Sequence, residues 1–78
     1  MTGPEFKAAC RRLRLTGSCN KHLSGSDAAR LFRVSSGRVI RSWQSGEAQV
    51  PGLVNEVMRG LERSQHLRDW FGVERVDD

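Results

Sequence analysis

Arg38 and Arg41 stand three residues apart in the segment VSSGRVIRSWQSG, residues 34–46. Side chains three apart share a face of a helix. A guanidinium is a planar, permanently charged fork of donors. It suits phosphates, and it pairs bidentately with the O6 and N7 acceptors of guanine. Ser36, Gly37, Ser42 and Ser45 surround the two forks with hydroxyl groups and little bulk, so a wide polyanion can approach closely. The chemistry open to such a face is recognition, not bond-making.

Other reactive residues are few. Cys10, Cys19, His22 and the distant His66 are the available soft ligands, but they lack the CxxC pair of strong zinc sites. Two cysteines at this spacing also make no disulfide framework. Cys10 reads as a small buried hydrophobe. The chain shows no Ser/His/Asp arrangement, no paired carboxylates in a plausible cleft and no phosphate-cradling glycine loop. The expectation is a protein that is not an enzyme and carries no metal or cofactor.

Charge is unevenly distributed. Residues 1–46 hold nine cations (Lys7, Arg11, Arg12, Arg14, Lys21, Arg30, Arg33, Arg38, Arg41) against Glu5 and Asp27, a net +7. The remainder carries four arginines against seven acids, a net −3, for +4 in all. This segregation points to a polyanion on one side. An anionic membrane surface would want Trp, Phe or Leu beside the cations on one amphipathic face, and that arrangement is missing. No apolar run exceeds three residues, so neither a membrane span nor a secretory signal is expected, and the chain reads as cytoplasmic.

The elements that must position these residues follow from capping and periodicity. The 78 residues, 37% of them hydrophobic, suit one domain with a thin core that oligomerisation would supplement. No stretch of four or more residues alternates with period two, so five helices and no strands are expected. Thr2 and Glu5 form a capping box around Pro4, and Phe6, Ala9, Cys10 and Leu13 make the inner stripe of the first helix. Residues 16–25, TGSCNKHLSG, read as a loop anchored by Leu15 and Leu23. A second helix starts at Ser24 or Ser26 and stops near Arg33. A third starts at Ser35 or Ser36 and ends at Gly46. A fourth opens at Pro51 with Leu53, Val54, Val57, Met58 and Leu61 on its stripe. Ser64 starts the last, with Leu67, Trp70 and Phe71 at helical spacing. Gly72 ends it, and VERVDD trails behind as a frayed tail. On a wheel of about 100° per residue, Val39, Ile40 and Trp43 make one stripe of the third helix, and Arg38, Arg41 and Ser45 lie opposite.

The pattern LSGSDAARLFRVSSGRVIRSWQSGE resembles the helix-turn-helix of the lambda-repressor/Cro family, also called the xenobiotic-response-element type. The resembling features are Ala29 at the helix crossing, Phe32 and Val34 around the turn, Ser35 at the start of the recognition helix, Val39, and Trp43 to Gly46 followed by Pro51. The resemblance covers about residues 5–63, and residues 23–54 carry its specific part. It implies an all-α compact bundle of about five helices, a single domain over residues 1–78. The helix-turn-helix would span about 24–46, with core and dimerisation helices over about 51–72. Three departures stand out: Arg33 where the family usually has Gly at the turn, one extra residue between Val34 and Trp43, and a longer loop between the first two helices. The extra residue leaves Val39 and Ile40 competing for the usual core position.

By that resemblance and the helix wheel, Ser36, Gly37, Arg38, Arg41, Ser42 and Ser45 would face bases. Ser26, Ser35, Arg30, Arg33, Lys21 and Gln44 would face phosphates. The serines agree with the anion affinity of helix N-termini. The long loop is either plain filler or brings Lys21 and His22 to the backbone. Leu67, Trp70 and Phe71 either close the core or form a homodimer patch, and the resemblance favours the dimer.

The expected function is sequence-specific binding of double-stranded DNA as a homodimer on an inverted-repeat operator. The resemblance implies a bacterial or phage transcriptional repressor, including repressors of their own operon and regulators of anti-CRISPR or toxin–antitoxin operons. The alternative is an antitoxin-like module whose C-terminal half binds a protein partner encoded nearby. RNA binding is a further reading, but no aromatic platform for single strands is visible.

Overall fold

The structure, a computed structural model, describes residues 1–76. Its described residues form five helices and one two-stranded sheet: α1 (Gly3–Arg11), β1 (Leu13–Leu15), α2 (Gly25–Phe32), α3 (Gly37–Ser45), α4 (Gly52–Arg63), α5 (Gln65–Phe71) and β2 (Val73–Arg75). No helix among the described residues is long and apolar enough to cross a membrane.

The start of α1 follows its sequence signal. The Glu5 amide donates to Thr2 Oγ1 at 3.3 Å, and the Thr2 amide donates back to Glu5 Oε1 at 3.4 Å. Phe6, Ala9 and Cys10 then turn inward. Gly3 sets how closely α1 meets the end of α3. A Cβ there would stand 2.8 Å from the carbonyl oxygens of both Trp43 and Gln44.

Phe6, Leu13, Ile40, Met58 and Leu61 are fully enclosed at the centre. The ring of Phe6 meets that of Trp43 edge-on at 5.7 Å, and Phe32 completes the cluster at 6.4 Å from each. Edge-to-face pairs add about 0.5–1.5 kcal/mol each beyond the area they bury. Ile40 takes the core position and Val39 is only partly buried, which settles the competition between them.

The strands correct the expectation of a strandless chain. Leu13 pairs with Arg75, Arg14 with Glu74 and Leu15 with Val73, antiparallel. Thr16 N donates to Gly72 O at 2.9 Å, and Val76 N to Arg12 O at 2.8 Å. Each strand has only three residues, too short for alternation to show, and each depends on a partner far away in the chain. Val73 is buried and Glu74 pairs with Arg14 at 2.8 Å, so residues 73–76 are not a frayed tail. Asp77 and Asp78 lie outside the described residues.

Two inward faces also differ from expectation. Leu53 is 78% exposed, so the inner stripe of α4 narrows to Val54, Met58 and Leu61, with Val57 at its edge. In α5 the inward residue is Arg68. Its Nη1 donates to the carbonyls of Leu61 at 2.8 Å and Glu62 at 3.2 Å, and its Nη2 to Gln65 Oε1 at 3.0 Å. The last carbonyls of a helix need donors, and here a neighbouring helix supplies them. Leu67 lies over Gly60 of α4 and Trp70 is left outside, so neither closes the core as one expectation had it.

Candidate nucleic-acid interface

Ser24 caps α2, its Oγ accepting from the Asp27 amide at 3.1 Å. This resolves the choice between Ser24 and Ser26. Ser26 stands exposed in the first turn. At the other end, Arg33 adopts the left-handed conformation with φ 55° and ψ 38°. The turn thus keeps a geometry that favours glycine while carrying a cation. Val34 N donates to Ala29 O at 3.0 Å and redirects the chain toward α3.

Ser36, not Ser35, is the N-cap of α3. Its backbone is extended and its hydroxyl makes no capping bond, while Ser35 is exposed in the turn before it. Gly46 ends α3 at φ 86°.

The N-termini of α2 and α3 meet. A Cβ placed on Gly37 would lie 3.1 Å from the Gly25 carbonyl carbon and 3.3 Å from Ser26 N. The side-chain direction of Gly37 therefore faces α2, and only its half-exposed backbone remains for the base contact expected of it. Ala29 is buried nearby, as the crossing requires.

Arg38 and Arg41 are exposed on the outer side of α3, with Ile40 and Trp43 buried on the inner side. Ser42 and Ser45 flank them, but their hydroxyls turn back onto the helix. Ser42 Oγ donates to Arg38 O at 3.1 Å, and Ser45 Oγ to Ser42 O at 3.2 Å. Such bonds compete with any outside acceptor. Gln44, expected at a phosphate, is half-buried and hydrogen-bonds the Cys10 thiol of α1. Burial pushes that thiol up to about 11, a rise that Gln44 opposes and the charge of Glu62 reinforces.

Lys21, Arg30 and Arg33 are exposed. Among the described residues they form no ion pair, and neither do Arg38 and Arg41. Other cations are occupied within the fold. Arg12 pairs with Glu62, Arg14 with Glu74, and Arg68 caps α4. The cations left without partners thus include all five on the surface formed by α2, α3 and the loop before them. Cys10 is buried while Cys19 is exposed in that loop, and His66 is exposed on α5. No cluster of three or more His, Cys, Asp or Glu able to hold a metal forms among the described residues.

No family model, curated protein or solved structure matches the chain.

The apolar residues assigned to a dimer border the α2–α3 surface where Arg30 and Arg33 stand. Trp70 is 80% exposed, Phe71 is half-buried against the core and Leu67 sits at the margin. Leu53 joins them, a residue the periodicity of α4 had placed inside. Between Leu53 and Phe71 runs a groove of about 300 Å³, lined by Leu31, Phe32, Val54 and Val57 with Arg33 at its edge. A second cleft, of about 360 Å³, shares Leu31, Arg33 and Phe71 with it and is lined as well by Leu15, Arg30 and Trp70. Sequence reasoning also missed Asp27. This carboxylate is buried in the first turn of α2, and a wheel gives no reason to single it out.

Proposed function

We propose that this protein binds double-stranded DNA sequence-specifically, with α3 in the major groove, and acts as a transcriptional repressor in the cytoplasm of a bacterial or phage-infected cell. The observation that carries the reading is the pair of guanidinium groups of Arg38 and Arg41, without ion-pair partners among the described residues and exposed on a helix whose opposite side is buried. The major groove admits one α-helix whose outer face is uncrowded. The N-termini of α2 and α3 meet at Gly25 and Gly37, and the backbone amides of helix N-termini favour phosphate. Arg30, Arg33 and Lys21 add cations at the margins.

The second subunit is another copy of this chain. Leu53 and Trp70 project beside recesses that share Leu31, Arg33 and Phe71, and a surface carrying both projection and recess is what a two-fold contact needs. Arg38 and Arg41 line neither recess, so pairing there leaves these two α3 side chains out of the contact, while Arg30 and Arg33 come to its border.

Selection of duplexes from a random pool, followed by titration against salt, tests the reading. The selected site is expected to contain an inverted repeat, and log K to fall steeply with log salt. Arg41→Ala or Arg38→Ala is expected to cost about 1–3 kcal/mol on the selected site and little on random duplex. Equal losses on both would make the residue a phosphate contact. A salt-insensitive interaction, or none, would overturn the proposal. The exposed Trp70 also favours a second reading, an antitoxin-like module that docks a different protein. A monomer at all concentrations would favour that one.

A further inference from the structure

The loop of residues 16–24 stands off the helix it leads into. Between them lies an open cleft of about 500 Å³, whose lining includes Thr16, Ser18, Asn20, Ser26, Asp27 and Arg30. Apolar anchors hold only the ends of this stretch, with Leu15 half-buried before it and Leu23 buried near its close. What spans the cleft is hydrogen bonding to one carboxylate. Asp27, 6% exposed, accepts at Oδ2 from Ser18 Oγ at 3.3 Å and from Asn20 Nδ2 at 3.0 Å. Its own amide is tied to Ser24, which seats the carboxylate in the first turn of α2 where the helix dipole favours a negative charge. No cation among the described residues ion-pairs with it, so the loop's donors satisfy its buried charge.

These bonds fix the surroundings of Lys21. On one side Asn20 is held by Asp27. On the other, Leu23 N reaches both Leu13 O at 2.9 Å and Cys10 O at 3.2 Å. Lys21 is exposed between the two anchors, next in the chain to the residue that Asp27 holds in the first turn of α2.

We infer that Asp27 is a positioning residue: its carboxylate fastens the 16–24 loop to α2 and so holds Lys21 against the phosphate backbone of a duplex engaged by α3. The inference rests on the duplex-binding reading above. A flexible lysine on a loose loop would lose more entropy on binding than one already held in place.

The test compares Asp27→Ala, Lys21→Ala and the double variant in the full chain, by amide hydrogen exchange and by salt titration of duplex binding. Asp27→Ala is expected to speed exchange at residues 17–22 and leave α3 protected. It should weaken specific and random duplexes by the same factor as Lys21→Ala, with a salt slope shallower by about 1. The double variant should be no weaker than either single one, while Arg41→Ala should remain independent of Asp27→Ala. Should Asp27→Ala fail to fold, Ser18→Ala with Asn20→Ala removes the same bonds from the loop side. A freed loop with unchanged affinity and slope, or losses at 21 and 27 that simply add, would overturn the role of Asp27 alone. A wild-type protein that binds no duplex would overturn both readings, and the exchange data would still show whether Asp27 fastens the loop.

Discussion

Arg33 ends α2 at a positive φ, where a Cβ crowds the following carbonyl and costs roughly 1–2 kcal/mol. Glycine at that position would be relaxed but uncharged. Arg33→Gly is therefore expected to stabilise the fold by about 0.5–1 kcal/mol, since the larger entropy of an unfolded glycine offsets part of the relief. Calorimetry would show it as a rise in Tm, and an unchanged or lower Tm would mean the turn carries no strain. If Arg33 also serves duplex binding, the same variant weakens binding to every sequence, so stability and affinity move in opposite directions. Single residues were unevenly readable from sequence. Arg38 and Arg41 stood out because a helix wheel separates them from Ile40 and Trp43. The close approach of Gly37 to Gly25 was not legible, because the wheel places Gly37 on the outer flank and says nothing of the neighbouring helix. Asp27 was invisible as a buried group, since its partners Ser18 and Asn20 lie on a loop with no periodicity.

Elements carry their own predictions. The approach of α1 to α3 leaves no room at Gly3, where an added methyl would meet backbone atoms and no flexible side chain could yield. Gly3→Ala is expected to destabilise the protein by about 1–3 kcal/mol, measurable as a lower urea midpoint. Equal stability would show that α1 can slide. The capping box of α1 gives a pH signature. Hydrogen bonds from the Thr2 side chain and then its backbone hold the Glu5 carboxyl below its ordinary 4.5. A lowered carboxyl stabilises the fold fully above 4.5, and that contribution disappears as pH falls through the folded-state value. Stability followed from pH 6 downward should thus decline less in Glu5→Gln than in wild type, and matching acid limbs would count against the cap. This helix start was legible because capping is local: Thr2, Pro4 and Glu5 announce it within four residues. The face α5 turns inward was not. Its apolar spacing pointed to Leu67 and Trp70, but the open carbonyls of α4 drew in Arg68 instead.

At the scale of the molecule, Leu53 and Trp70 stand 78% and 80% exposed on a chain with a small core, and exposed apolar side chains beside a recess mark interaction surfaces. Leu53→Asp and Trp70→Ala should each shift sedimentation toward monomer while helicity stays unchanged. A dimer that persists in both would place the two-fold contact elsewhere. The helical architecture and its five elements were readable from caps and spacing, whereas the sheet was not, because pairing Leu13–Leu15 with Val73–Arg75 is a long-range event. That sheet has a consequence during synthesis. The edge of β1 has no hydrogen-bonding partner until residue 75 has cleared the ribosome. Every nascent chain therefore passes through a stage with four of its five helices made and an open edge near its start.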